Sequence, residues 1–203
     1  MSVVIGICGG SGAGKTFLAN LLKEHFKDRL IIIPFDSYCK DRSNYSVIER
    51  GKINYDIPDS YDGDLLASDL KKIKEGQPTL IPQFDFATHT RKKEKKLLLP
   101  TDIILVEGIM TFSFPSVVRQ LDYKIYVDAL EEIRFARRLN RDINERGRSK
   151  ESVYKQFYET VAPMHNIYIE PWKHKSDYVV INNGNDGLDI SNIVNIIMKL
   201  IQR

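Results

Sequence analysis

The stretch Gly9-Gly10-Ser11-Gly12-Ala13-Gly14-Lys15-Thr16 follows the pattern G-x-x-x-x-G-K-[ST], and its flanks give that pattern meaning. The apolar run Val3-Val4-Ile5-Gly6-Ile7-Cys8 before it reads as a buried strand, and Phe17 to Leu22 after it as a helix beginning at the lysine. The glycines let the backbone curl until successive N–H groups point inward at a phosphate chain, and the helix N-terminus adds partial positive charge there. Lys15 can reach the β- and γ-phosphates, and the Thr16 hydroxyl can coordinate Mg²⁺. A ligand-free glycine turn is the bland alternative; the strand-turn-helix setting favours a nucleoside triphosphate site.

Further buried strands are expected at Leu30–Phe35, Ile103–Val106, Lys124–Asp128 and Asp177–Ile181. Continuous apolar runs of this kind suit a parallel sheet covered by helices on both faces. Between them, Asp64–Glu75, Leu130–Glu145, Ser149–Val161 and Ile190–Ile201 have helical periodicity. On Leu130–Glu145 the residues Ile133, Ala136, Leu139 and Ile143 are expected to face inward, and the Ser149–Val161 helix to end near Pro163. Met164–Glu170 reads as a short helix stopped by Pro171. Residues 40–63 read as a long functional loop, and Thr79–Leu99 as an inserted antiparallel hairpin. The expected fold is α/β: a P-loop NTPase with a five-stranded parallel sheet, helices on both faces, an inserted β-hairpin and a helical lid. The 203 residues suit a single domain (1–203), with an acceptor insertion at about 37–99 and a lid at about 138–163.

A formal net charge of +3 is too small to suggest a nucleic-acid partner. The two cysteines, Cys8 and Cys39, give no disulfide framework. No apolar stretch has membrane-spanning length and the N-terminus runs directly into a strand, so the expectation is a cytoplasmic protein without a membrane partner.

Ligands in parallel sheets bind beyond the carboxyl ends of the strands. Asp36 follows the second strand and so shares an edge with the phosphate loop, where it can cap the next turn or act on an acceptor hydroxyl. Glu107 ends the third strand and matches the Walker B role of holding Mg²⁺, with simple capping as its alternative. Arg134 and Arg137 are expected to be surface charges answering nearby acids. Arg141, Arg146 and Arg148 flank Gly147 in a turn between helices, where guanidinium groups on a mobile lid can close over a triphosphate. The Asn-Lys-x-Asp guanine reader of Ras-type GTPases is absent. Short length, arginine-rich lid and Asp36 favour phosphoryl transfer to a small acceptor; a kinase for a sugar phosphate, using Lys40, Arg42, Arg50, Lys52 or Arg91, and a nucleotide-dependent regulatory module remain alternatives.

Several segments together resemble the uridine–cytidine kinase family of P-loop kinases. They are the phosphate loop, Phe35-Asp36-Ser37-Tyr38, Asn54 to Pro58, Pro82 to Arg91, Glu107-Gly108-Ile109, Arg141 to Arg148, and Val161 to Pro171. The resemblance implies phosphorylation of the 5′-hydroxyl of uridine or cytidine, with ATP, or GTP in its place, as donor and Mg²⁺ as cofactor. It implies that Asp36 is the catalytic base and that Asp56 and Arg138 hold the ribose hydroxyls. Phe86 would pack on the pyrimidine with Phe84 beside it, His89 would bond the base edge, and Gln156 would lie near the sugar. Lys15, Arg141 and Arg146 would act on the phosphates with Arg148 close by, and a homotetramer with feedback inhibition by a pyrimidine triphosphate is implied. Three positions depart from the family's usual residues: Cys39 and Phe84 stand where it has tyrosine, and Ile57 where it has histidine. The loss of a hydroxyl at Phe84 implies weakened or altered selectivity for the base.

Overall fold

The computed structural model describes residues 2–184 and 187–202, and its central strand has no exposed residue. That strand, β1 (Val3–Gly9), sends Val3, Ile5 and Ile7 into one apolar core and Val4 and Cys8 into another on the opposite face. Side chains alternate along a strand, so a run apolar at every position must be covered on both sides. After the phosphate loop come α1 (Lys15–Phe26) and β2 (Leu30–Pro34). The insertion holds α2 (Val47–Gly51), α3 (Gly63–Lys74) and the strands β3 (Thr79–Ile81), β4 (Phe84–Asp85), β5 (Thr90–Arg91) and β6 (Lys96–Leu98). Next are β7 (Ile103–Glu107), α4 (Pro115–Val118), β8 (Tyr123–Asp128) and α5 (Glu131–Asn144). The chain ends with α6 (Lys150–Gln156), α7 (Ala162–Met164), β9 (Tyr178–Ile181) and α8 (Ser191–Ile201).

The main sheet has five parallel strands in the order β2-β7-β1-β8-β9. Leu18 and Leu22 of α1 and Ile193 and Ile197 of α8 fill one core, and Leu66, Leu70 and Ile73 of α3 fill the other. The expected hairpin is present as two separate antiparallel pairs, β3 with β6 and β4 with β5. Register decides where the chemistry lies. Pro34 of β2 pairs with Glu107 of β7, and Glu107 pairs with Ile7 of β1. Asp36, Glu107 and the phosphate loop are therefore side by side at one sheet edge.

Three expectations are corrected. Residues 40–63 are not structureless: Ser46 caps α2, its hydroxyl accepting from the Glu49 N–H while the Glu49 carboxylate accepts from the Ser46 N–H. Ser46-x-x-Glu49 is a capping box that the sequence already displayed. Nor does Pro163 end a helix. Helical turns run from α6 through Lys175, and a wide π-type turn at Phe157–Val161 lets the Ala162 N–H bond the Phe157 carbonyl. Widening the turn absorbs the N–H that proline lacks. Third, α5 is inverted. Its buried residues are Arg134, Arg138 and Asp142, while Ala136 and Ile143 are exposed. The polar stripe at four-residue spacing faces the phosphate loop, so apolar periodicity pointed to the wrong face.

Candidate active site

The phosphate loop is held by packing against its neighbours. Gly12 has φ +81, and a Cβ there would lie 2.2 Å from the Arg134 carbonyl oxygen, so α5 passes directly against the loop. The Asn182 amide donates to the Ala13 carbonyl at 2.8 Å. The Lys15 ammonium donates to the Gly10 carbonyl at 3.0 Å. Burial lowers its pKa from the usual lysine value, and Glu107, Cys8 and Asp36 oppose that fall. The Thr16 hydroxyl donates to Glu107 at 3.2 Å. Two hard oxygens facing each other beside a phosphate cradle fit Mg²⁺, which uses one or two protein oxygens and completes its shell with water and phosphate. Among the described residues no cluster of three or more His, Cys, Asp or Glu could hold a metal alone.

A cavity of about 1160 Å³ opens in front of the loop. It is lined on one side by Lys15, Thr16, Asp36 and Glu107, on the other by Asp56, Phe84, Phe86 and His89, and above by Arg138, Arg141, Arg146, Arg148 and Gln156. Gly9, Gly10 and Ala13 form the back of the loop, where Ala13 and Gly10 are buried. Asp36 lies in the tight turn after β2 and accepts from the Tyr61 hydroxyl at 3.4 Å. Burial raises its pKa, and Lys15, Arg146 and Arg141 pull it back down. Asp56 is buried and likewise raised, with Arg138 as its largest compensating charge. Glu107 is also raised by burial, against Lys15.

The aromatic end is built by the hairpin and the segment before α3. Phe84 and Phe86 meet edge to face at 5.5 Å, and His89 stacks on Tyr55 at 5.1 Å. Burial lowers the His89 pKa, and Arg148, Arg146 and Arg50 lower it further, which favours the neutral ring. Arg146 lies 5.1 Å over the Phe86 ring, linking lid to hairpin.

The arginines expected on a lid are gathered rather than dispersed. Arg138 donates to Ser11 of the loop at 2.8 Å and to Gln156 at 2.8 Å, and Arg148 donates to the same Gln156 oxygen. Arg134 and Arg137, expected at the surface, are structural. Arg134 is buried and donates to the Ala129 carbonyl at 3.1 Å. Arg137 donates to the carbonyls of Asn182 and Gly184 at 2.9 and 2.8 Å, which fixes its guanidinium plane in a second cleft of about 270 Å³ shared with Phe17. Sequence reasoning gave no role to that cleft, Tyr61, Tyr55 or Asp142: the cleft, Tyr61 and Tyr55 are defined by partners far along the chain, and Asp142 stands among arginines that were read without it. Arg91, one of the basic residues available for a sugar-phosphate acceptor, instead donates to the Tyr38 and Cys39 carbonyls and pairs with Asp62. Cys8 and Cys39 are buried and unpaired with each other.

Residues 4–188 match the family described as the Phosphoribulokinase / Uridine kinase family. The chain belongs to that family. A uridine kinase of Lactobacillus helveticus is 43% identical over 192 residues, covering 93% of this chain and 90% of that protein. A uridine kinase of Clostridium tetani is 41% identical over 202 residues, covering 99% and 97%. Among solved structures, a D-glycerate 3-kinase from Cryptococcus neoformans var. grubii superposes with a TM-score of 0.62 at 18% identity over 90% of this chain and 86% of that one, a likeness of fold alone. The family member described here is a P-loop kinase, a phosphotransferase with an alcohol acceptor.

Proposed function

We propose that this kinase transfers the γ-phosphoryl group of ATP, or GTP in its place, to the 5′-hydroxyl of uridine or cytidine, a cytoplasmic step of pyrimidine salvage. The observation that carries the reading is that buried Asp56 and Arg138 line the same cavity as Asp36, beside an aromatic pocket. A carboxylate accepts two ribose hydroxyls at once, and an aromatic face suits a flat base. Neutral His89 can present an N–H to O4 of uracil, or a ring lone pair to the N4 amino group of cytosine, according to tautomer. The donor's base fits the second cleft, stacked on the Arg137 guanidinium.

In the reaction Asp36 accepts the proton of the 5′-hydroxyl as its oxygen attacks the γ-phosphorus. Tyr61 orients that carboxylate, while Lys15, Arg141 and Arg146 stabilise charge on the transferred oxygens. Thr16 and Glu107 would hold Mg²⁺, which would supply Lewis-acid stabilisation of charge on the donor. Incubation with ATP, Mg²⁺ and a nucleoside panel is expected to release ADP faster with uridine and cytidine than with purine nucleosides; turnover with a sugar phosphate alone would overturn the reading. The engagement of Arg91 by two carbonyls and Asp62 counts against a sugar-phosphate acceptor.

Base selectivity is expected to be softened by Phe84. Phe84→Tyr restores a hydroxyl at the edge of the pocket, worth about 0.5–1.5 kcal/mol, or roughly 2–10-fold in kcat/KM for uridine over a purine nucleoside. An unchanged ratio would remove Phe84 from base reading.

A homotetramer is proposed as the assembly, with the hairpin as a contact. Leu80 of β3 pairs directly with Leu97 of β6, and both side chains are more than half exposed, with Leu99 beside them. Bare apolar surface of this kind marks an interface. Leu80→Asp with Leu97→Asp is expected to reduce the assembly to smaller species by light scattering after gel filtration; an unchanged mass would place the interface elsewhere.

A further inference from the structure

The lid arginines converge on Asp142, a residue with no part in the mechanism above. It has no exposed surface. Its Oδ1 accepts from Arg141 Nε at 3.0 Å and lies 3.3 Å from Arg146, while Oδ2 lies 3.4 Å from Arg138 and 3.5 Å from Arg148. Four guanidinium groups thus share one carboxylate, and among these five groups the balance is 4 − 1, or three positive charges. The excess faces the phosphate loop, because Arg138 also bonds Ser11.

The quality of these contacts is informative. A permanent arginine brace places two parallel N–H donors on a carboxylate. Here only Arg141 is held closely, its Nε and Nη2 lying 3.0 and 2.9 Å from the one oxygen Oδ1, and Asp142 Oδ2 and Arg138 Nε are both buried with no hydrogen-bond partner. The other three cations are collected by charge without being locked by geometry, and Oδ2 is left free of any hydrogen bond. A buried acid that left would expose four like charges to one another, so something anionic must occupy their centre.

We infer that Asp142 is a positioning residue that stands in for the donor's phosphates: it gathers Arg138, Arg141, Arg146 and Arg148 while the site holds no nucleotide, and releases Arg141 and Arg146 to the phosphates as the lid closes. Closure is then an exchange of one anion for another. The arginines do not have to be brought together from solvent, and the bare site does not fall apart by self-repulsion. This inference rests on the assignment of the lid arginines to phosphate in the proposed function, and it does not depend on which alcohol is the acceptor.

Inorganic tripolyphosphate is the probe, because it has the donor's phosphates and no nucleoside. Asp142→Asn keeps the volume and removes the competing charge. It is expected to bind tripolyphosphate roughly tenfold more tightly than the unaltered kinase by calorimetry. Its kcat with ATP and uridine is expected to fall at least tenfold, because the arginines then grip ground-state phosphates no less than the transition state. A merely structural aspartate would lower kcat through misfolding but would not tighten tripolyphosphate, so a folded variant with unchanged or weakened tripolyphosphate affinity overturns the inference. Should Asp142→Asn not fold, Asp142→Glu decides: it keeps the charge and lengthens the reach, so tripolyphosphate affinity should stay within threefold while kcat falls several-fold, and an unaltered kcat overturns the inference. Failure to phosphorylate uridine would sink the proposed acceptor while leaving the tripolyphosphate comparison intact.

Discussion

Asp36→Asn is expected to lower kcat by about 10³-fold, the usual size for losing a positioned general base. ATP affinity should change little, because the loop backbone, Lys15 and Thr16 remain. The melting temperature should rise. Asp36 is a charge held where the fold disfavours it: burial raises its pKa more than Lys15, Arg146 and Arg141 lower it. A neutral side chain of the same shape relieves that cost, as expected of a site where function is bought with stability. Loss of turnover together with a higher melting temperature separates catalysis from misfolding. A kcat within tenfold of the unaltered enzyme would remove Asp36 from the role of base.

The same shift sets the pH dependence. A carboxyl group with a raised folded pKa binds its proton more readily in the folded than in the unfolded chain, so stability rises as pH falls through the folded pKa. Asp36, Asp56 and Glu107 all shift in this direction, burial being the first cause in each. Their joint contribution is a nucleotide-free protein that gains stability on mild acidification, until pH falls below the ordinary carboxylate range of the unfolded chain. Activity runs the other way: kcat/KM should fall on the acid side through a pKa above that of an ordinary aspartate, since Asp36 must be ionised to accept the proton. Thermal melting and kcat/KM measured across one pH series would show opposite slopes, and parallel slopes would refute this account.

What the sequence made legible divides along a physical line. The phosphate loop, the five parallel strands and the sheet-edge positions of Asp36 and Glu107 could be read because each follows from local rules: glycine spacing, apolar runs and strand direction. The α5 helix could not. Its apolar residues have helical spacing, yet Arg134, Arg138 and Asp142 are the buried face, because that face meets the phosphate loop and partly neutralises itself. Periodicity reports which residues avoid water and is silent on charges buried in pairs. Pro163 misled for a similar reason: a local breaker was overruled by a wide turn that tertiary packing of Phe157 and Val161 stabilises. Ser46-x-x-Glu49 is a local signal too, since its spacing alone specifies the cap of α2. Asp56, Phe84, Phe86 and His89, proposed for the acceptor, come from separate segments; they line one cavity, and no local pattern joins them.

Gly12→Ala tests whether packing of the loop against α5 is what prepares the site. The φ of +81 is one that an alanine adopts only with strain, about 1–2 kcal/mol. Space is the larger problem. The added Cβ would lie 2.2 Å from the Arg134 carbonyl oxygen, against an ordinary contact of 3.4 Å, so loop and helix must separate by 3.4 − 2.2, or 1.2 Å. The carbonyl has little freedom to give way. The Arg134 N–H bonds the Leu130 carbonyl at 2.9 Å and its side chain bonds the Ala129 carbonyl at 3.1 Å, which fixes the first turn of α5. One turn further on, the 2.8 Å bond from Arg138 to Ser11 would be broken by the same displacement. Strain and overpacking together should cost about 2–5 kcal/mol, or roughly 5–15 °C in melting temperature for a chain of this size. Nucleotide affinity should fall at least 100-fold, since both the backbone cradle and the lid hinge are displaced. Gly147→Ala is the matched control: its φ is +63, but no atom lies within 4 Å of the added Cβ, so it should incur only the backbone strain. Equal effects of the two substitutions would mean that backbone conformation, and not the contact with α5, shapes the phosphate loop.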